Sequence, residues 1–149
     1  MKFNKLIPEL SVSNLTNSLV FYNTILGFKV EYVRPETKFA FISYEGSQLM
    51  IDEVNPKQTE GTWIIGKIEH PFGRGINFQI EVKNLNKILK ALEKHKYPLF
   101  VKPTEHWYRK GKKLLGSREF LVTDPDGYVL RFAQDIGEKS VSKKVIKNA

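Results

Sequence analysis

Residues 118–135 of this chain are REFLVTDPDGYVLRFAQD, and this stretch predicts a β-hairpin that turns at Asp124-Pro125-Asp126-Gly127. Proline presets the backbone dihedral that a tight turn needs early, aspartate side chains bond back to the main chain, and glycine takes positive φ freely. Residues on each arm point alternately to opposite sides, so each arm has a core face and a second face that can carry chemistry. A tight hairpin would place Glu119 and Arg131 roughly opposite each other.

Size and composition restrict the classes of protein that this chain can belong to. A length of 149 residues predicts one domain. The absence of cysteine excludes disulfides, thiolate zinc sites and cysteine nucleophiles. No apolar run approaches the ~18 residues that a membrane helix needs, and no signal peptide is visible. We therefore expect a cytoplasmic protein without a membrane partner.

The charge balance is basic, with 24 lysines and arginines against 16 acids and a net charge of +8. Residues 138–149 hold four of the lysines and one acid, which predicts a disordered basic C-terminal tail. The rest of the chain keeps an excess of +5. That excess is compatible with a nucleic-acid partner but is a weak argument for one.

The order of the elements repeats on either side of a linker at residues 55–73. The segments Val12–Leu15 and Val82–Leu85 match in type 70 residues apart, and both stand where a strand passes into a helix capped by asparagine. This duplication predicts an α+β domain at residues 1–137, with tandem β-α-β-β-β modules at about 4–54 and 74–136. The predicted strands alternate in polarity and span residues 6–13, 28–34, 38–44, 48–54, 76–83, 99–102, 118–123 and 128–134.

The duplicated order, the phrases Phe21-Tyr22 and Leu26-Gly27-Phe28, and the DPDG hairpin together resemble the vicinal-oxygen-chelate superfamily, over about residues 4–137. That superfamily groups glyoxalase I, extradiol dioxygenases, fosfomycin-resistance transferases and bleomycin-resistance proteins. The resemblance implies paired modules that form a curved sheet around a U-shaped groove, usually in a dimer.

In the metal-dependent members, the ligands lie on the first and last strands of each module. The matching positions here are Ile7, Asp52, Asn77 and Arg131. A catalytic zinc needs about three protein ligands with nitrogen, oxygen or sulfur donors, and a guanidinium offers no lone pair. The three histidines (His70, His95 and His106) are not at ligand spacing, and we interpret them as surface or structural residues. We therefore expect no metal and no other cofactor.

The metal-free pattern, with arginine in Leu130-Arg131-Phe132, resembles the bleomycin-resistance branch. That resemblance implies a homodimer that sequesters an antibiotic in grooves at its interface, without turnover. Exposed aromatic residues on loops are candidate ligand anchors, and we place Trp63 in the linker and Trp107 and Tyr108 in a basic loop at residues 105–116. The candidate ligand-binding residues are Phe39, Phe41, Asp52, Trp63, Asn77, Gln79, Trp107, Tyr108, Glu119 and Arg131.

Three functions remain open at this point. The first is a binding protein for a small molecule such as a bleomycin-like glycopeptide, although a net charge of +8 is unexpected for the captor of a cation. The second is a lyase-type or dioxygenase-type enzyme of the same superfamily, with a metal or with Glu119 or Glu81 as base. The third is a nucleic-acid module that uses Lys110, Lys112, Lys113 and the tail.

Overall fold

The computed structural model of the chain describes residues 1–55 and 63–141. Within them, each module contributes one four-stranded sheet and one main helix, in the order β-α-β-β-β, which confirms the predicted fold class. The first module comprises β1 (Glu9–Val12), α1 (Leu15–Leu19), β2 (Lys29–Arg34), β3 (Phe39–Tyr44) and β4 (Ser47–Glu53). The second comprises β5 (Asn77–Glu81), α2 (Leu85–Lys94), β6 (Val101–Lys110), β7 (Lys113–Thr123) and β8 (Val129–Ser140).

The two sheets have the same topology. Their strand orders are β1-β4-β3-β2 and β5-β8-β7-β6, and in each the first pair is parallel while the others are antiparallel. The predicted caps are also equivalent, because Asn14 Oδ1 accepts a 2.8 Å hydrogen bond from the Asn17 amide and Asn84 Oδ1 accepts a 3.2 Å bond from the Lys87 amide. After α1 the chain continues as one π-helical segment, Val20–Ile25.

One hydrophobic core joins the two modules, since the buried faces of both sheets and both helices contribute to a single cluster. Phe21 from the first module packs against Tyr97 from the second, with ring centroids 4.8 Å apart. Within the described residues, no helix has the length and apolar character needed to cross a membrane.

The DPDG turn makes polar contacts between the two modules. Asp124 Oδ1 accepts hydrogen bonds from the amides of Asp126 and Tyr128, at 3.0 and 2.9 Å. Asp126 Oδ2 then accepts from the Ser13 amide at 3.0 Å, and the Tyr22 hydroxyl donates to Asp124 Oδ2 at 2.9 Å. The turn therefore fixes the position of α1 and of the end of β1 against the second sheet.

The same turn corrects the predicted pairing of Glu119 with Arg131. The first pair beyond the turn is Thr123 with Val129, so Leu121 lies opposite Arg131, and Glu119 lies opposite Ala133. The carboxylate of Asp124 closes a turn two residues longer than the tight hairpin assumed above, so the partner of each β7 residue lies two residues further along β8. Glu119 and Arg131 are consequently diagonal neighbours on one face of the sheet.

The predicted basic loop at residues 105–116 is wrong, because most of it belongs to β6 and β7. His106 and Tyr108 alternate with Trp107 in the way a strand requires, and Gly111 supplies the positive φ of +61° at the turn to Lys112. The predicted C-terminal tail also begins as strand, since β8 continues to Ser140. Residues 142–149 of that tail and residues 56–62 of the linker lie outside the described residues.

Candidate functional site

The second module has a polar sheet face directed away from the core, which we call the second-module face. On β7 and β8 the core side is apolar and fully buried, as at Phe120 and Phe132. Their neighbours on the opposite side point outward because successive strand residues alternate. This face carries five of the predicted ligand-binding residues: Asn77, Gln79, Tyr108, Glu119 and Arg131.

An ion pair, with a further hydrogen bond at each of its members, lies at the centre of this face. Arg131 Nη2 donates to Gln79 Oε1 at 2.8 Å, and Arg131 Nη1 lies 3.6 Å from Glu119 Oε2. The Tyr108 hydroxyl donates to the same Glu119 oxygen at 3.1 Å. Desolvation, followed by the adjacent carboxylate of Glu119, raises the pKa of Tyr108, so its hydroxyl remains a donor near neutral pH.

This network can bind further polar groups. Glu119 is only 4% exposed, whereas the side chain of Arg131 is 30% exposed, so a ligand can reach the guanidinium but not the carboxylate of the ion pair. The Arg131 Nε atom is buried and has no hydrogen-bond partner among the described residues. The fixed donors of a guanidinium suit planar acceptors such as carboxylate or amide oxygens.

Two cavities flank the network and share Tyr108 and Glu119 as a common wall. The larger, of about 530 Å³, has apolar walls at Ile76, Leu121 and Val129 and polar walls that include His106. The His106 ring stacks on Tyr108 with centroids 5.7 Å apart. The smaller cavity, of about 280 Å³, is acidic and is lined in part by Glu81, Asp135 and Glu138.

The equivalent face of the first module is filled by its own aromatic side chains. Phe39 and Phe41 are only 3% and 1% exposed, and Tyr32 stacks on both, at centroid distances of 6.0 and 5.3 Å. The Arg34 guanidinium lies 3.9 Å above the Phe39 ring, and the Phe3 ring packs edge-on against Phe41 at 5.4 Å. Phe39 and Phe41 thus form a covered floor, so neither is accessible to a ligand in this conformation.

Asp52 lies on the same face, in register with Phe39 on one side and Ser11 on the other. Partial burial raises the pKa of Asp52, which the nearby Arg34 guanidinium opposes. Burial also raises the pKa of Glu9, and the adjacent Asp52 carboxylate raises it further. These two carboxylates give the edge of the first-module face a negative potential that attracts cationic groups.

The two predicted tryptophan anchors lie apart from the network. Trp63 is 78% exposed and lines a cavity of about 490 Å³ between the linker and β1, with Glu9 and Ser11 on the opposite wall. Trp107 points to the other side of β6, where Lys139 Nζ lies 3.6 Å from its ring. A Cβ added at Gly116 would lie 2.7 Å from that ring, so Trp107 is packed against the sheet.

The strand register tests whether a metal ion fits the positions used by metal-dependent relatives. Arg131 pairs with Gln79, and the equivalent of Gln79 in the first module is Glu9, which pairs with Met50. The last-strand position of the first module is therefore Met50, not the predicted Asp52. The resulting set of Ile7, Met50, Asn77 and Arg131 contains no carboxylate and no imidazole, so it does not fit a divalent metal ion.

Sequence reasoning missed several residues on these faces. His106 was placed in a loop, and Tyr32 and Arg34 were not considered, although all three have the period-two spacing of a strand face. The period-two spacing of a strand relates His106 to Tyr108, and it relates Tyr32 to Arg34 on the strand that precedes Phe39, so this signal could have found all three.

The family model of the Glyoxalase/Bleomycin resistance protein/Dioxygenase superfamily matches residues 5–132. The chain belongs to this superfamily. Its name covers both resistance proteins and enzymes, so membership does not decide between binding and catalysis. No curated protein matches the chain.

Solved structures of similar fold cover nearly all of this chain at low sequence identity. TioX from Micromonospora sp. ML1 is 12% identical, with a TM-score of 0.66, over 90% of this chain and 100% of that one. A protein from the mobile metagenome of V. Pseudocholerae is 15% identical, with a TM-score of 0.65, over 90% and 96% of the two chains. A glyoxalase/bleomycin resistance protein/dioxygenase from Alicyclobacillus acidocaldarius is 15% identical, with a TM-score of 0.62, over 90% and 92%. At these identities the similarity concerns the fold alone.

Proposed function

We propose that this protein is a metal-free binding protein for a small molecule, of the bleomycin-resistance type, which holds its ligand on the second-module face without turnover. The observation that carries the proposal is the Arg131–Glu119–Tyr108 network, which occupies the centre of the face where metal-dependent relatives place a ligand atom. A cationic side chain at that position repels a metal ion but orients a polar organic ligand.

The two cavities favour a ligand with two chemically different ends. The larger cavity has apolar walls and the stacked pair His106 and Tyr108, which suit a flat conjugated ring. The smaller cavity presents Glu81, Asp135 and Glu138, which suit a protonated amine. The distant positive charges weaken this attraction little, because the screening length at physiological salt is about 8 Å. A glycopeptide of the bleomycin kind combines both features.

A second copy of the chain would complete this groove. Ile76 and Tyr108 line the larger cavity and are 48% and 45% exposed, and Val101, which pairs with the lining residue Leu121, is 40% exposed. Apolar side chains exposed together at the mouth of a cavity favour a protein interface. Sedimentation at micromolar concentration should therefore give a dimer, and a species of 17.3 kDa would contradict the interface.

Calorimetry and thermal shift with metal-free bleomycin test the proposed function. A ligand at 100 times its Kd adds roughly 2.7 kcal/mol to the free energy of unfolding, which raises Tm by about 5–10 °C in a domain of this size. Arg131→Gln should weaken binding about 10-fold to 100-fold, because one charged hydrogen-bond donor contributes roughly 1.5–3 kcal/mol. Arg118→Gln is the matched control, since Arg118 lies on β7 but donates to Asn86 of α2 instead of facing the groove.

The outcomes separate the ligand from the function. Heat and a Tm shift from another cationic aromatic compound, with none from bleomycin, would retain the binding function and change its ligand. The same loss of affinity in both arginine variants would contradict the site. Product formation that disappears in Glu119→Gln would favour the alternative, a carboxylate-based enzyme with this buried residue as base.

A further inference from the structure

We propose that the ends of β6, β7 and β8 form a basic tip that binds the phosphate backbone of duplex nucleic acid, independently of the small-molecule site. The three strands continue well beyond the last pair that β5 makes with β8, Glu81 with Ala133. The basic tip consists of five exposed cationic residues: Arg109, Lys110, Lys112, Lys113 and Lys139.

The tip concentrates positive charge at a cost to its own stability. Lys110 and Lys113 pair directly across the turn, where like charges repel. Glu138 contacts Lys113 at 2.7 Å, but within residues 1–55 and 63–141 no carboxylate forms a salt bridge with Lys110 or Lys112. The like charges of the basic tip repel each other in the free protein. An anionic partner that neutralises these charges would explain why they lie together.

The last described residue of the chain lies next to the basic tip. The Val141 amide donates to the Lys112 carbonyl at 3.2 Å, so residue 141 lies beside the turn of the basic tip. The sequence that follows contains Lys143, Lys144 and Lys147 and no acidic side chain. Charge complementarity therefore points to a polyanion and not to a single small anion.

The chemistry of the tip favours duplex nucleic acid over an anionic membrane. β8 pairs with β7 as far as Lys113 and Ser140, so the tip is the end of a three-stranded sheet whose exposed cations can contact phosphate oxygens. Binding to a membrane surface needs exposed apolar side chains that enter the lipid. At the turn, residues 109–113 are four cations and one glycine, so this requirement is not met.

Fluorescence anisotropy of a labelled 20-base-pair duplex of random sequence, measured against salt concentration, tests the proposal. If the five cations neutralise five phosphates, log Kd should change with log salt with a slope of magnitude about 4.5, and affinity should fall about 500-fold between 50 and 200 mM. Lys110→Gln with Lys112→Gln should reduce that slope by about 2. Lys87→Gln with Lys90→Gln, on the exposed side of α2, removes the same charge elsewhere and should leave the slope unchanged.

Three results would overturn the proposal. One is the absence of duplex binding by the parent protein at 50 mM salt. Another is an equal decrease of the salt slope in the α2 control variant, which would show that binding depends on net charge alone. The last is tighter binding to phosphatidylserine vesicles than to the duplex. The double variant Lys110→Gln with Lys112→Gln should bind the small molecule as tightly as the parent does. A negative result with the duplex therefore does not contradict the proposed small-molecule site.

Discussion

Replacing Glu119 by glutamine tests the buried network at its least exposed member. The variant keeps the shape of the side chain and an acceptor for the Tyr108 hydroxyl, but it leaves the Arg131 guanidinium without its counter-charge. At 3.6 Å the attraction between unit charges is about 4.6 kcal/mol for an effective dielectric constant near 20. Desolvation offsets much of that attraction, so we expect a loss of about 2–3 kcal/mol in the free energy of unfolding.

A double-mutant cycle separates the pair from its surroundings. Arg131→Gln alone should destabilise the protein too, because it leaves the Glu119 carboxylate buried without a cation. The double variant should be more stable than the sum of the single losses predicts, by about 1–2 kcal/mol, since neither charge is then unpaired. Urea unfolding at pH 7 measures all four species, and Glu81→Gln on the same face is a control for the loss of one exposed carboxylate.

The cycle also gives a clear refutation. Single losses that add within about 0.3–0.5 kcal/mol would show that Glu119 and Arg131 do not interact energetically. The face would then be a collection of independent polar side chains, and the assignment of Arg131 as the oriented ligand-binding donor would fail with it.

Two further predictions concern Asp124 and Gly127 in the turn between β7 and β8. Burial raises the pKa of Asp124 to about 6 from an ordinary value of 3.8, so its contribution to stability is fully present below pH 3.8 and is lost as pH rises through 6. Relative to Asp124→Asn, the parent should lose up to about 3 kcal/mol between pH 4 and 7.5 in urea unfolding, and a pH-independent difference would contradict the shift. Gly127→Ala should destabilise more than Gly137→Ala in thermal melts. Both positions have positive φ, but only at Gly127 would the new Cβ meet another residue, 2.5 Å from Pro71, and equal losses would show that backbone strain alone matters.

The fold was predictable because its signals are local and occur twice. The strand-to-helix phrase at Asn14 and Asn84 gives both capped helices, and the alternation on β5 and β8 correctly separates core residues from outward ones. The second-module network could be predicted as a set for the same reason, since Gln79, Glu119 and Arg131 share one parity.

The register and the aromatic residues were not predictable from these signals. The pairing across the DPDG turn depends on two hydrogen bonds to the Asp124 carboxylate. These bonds extend the turn to Tyr128, beyond the four residues of the motif. Trp107 and Tyr108 are adjacent aromatic residues, and the sequence alone does not show which one faces a ligand. They point to opposite faces of the sheet because both belong to the strand β6. Tyr108 then faces the network, while Trp107 packs beneath Lys139 on the other side.

The register of the duplicated modules explains why one face is open and the other is filled. The equivalents of Glu119 and Arg131 in the first module are Phe39 and Met50, because each pair occupies matching positions in its sheet. The same two places therefore hold an ion pair in one module and apolar side chains in the other. Apolar residues at these places gain stability by being covered, as Tyr32 covers Phe39. A charged pair leaves hydrogen-bonding capacity at the surface, so the ligand site that we propose is confined to the second module.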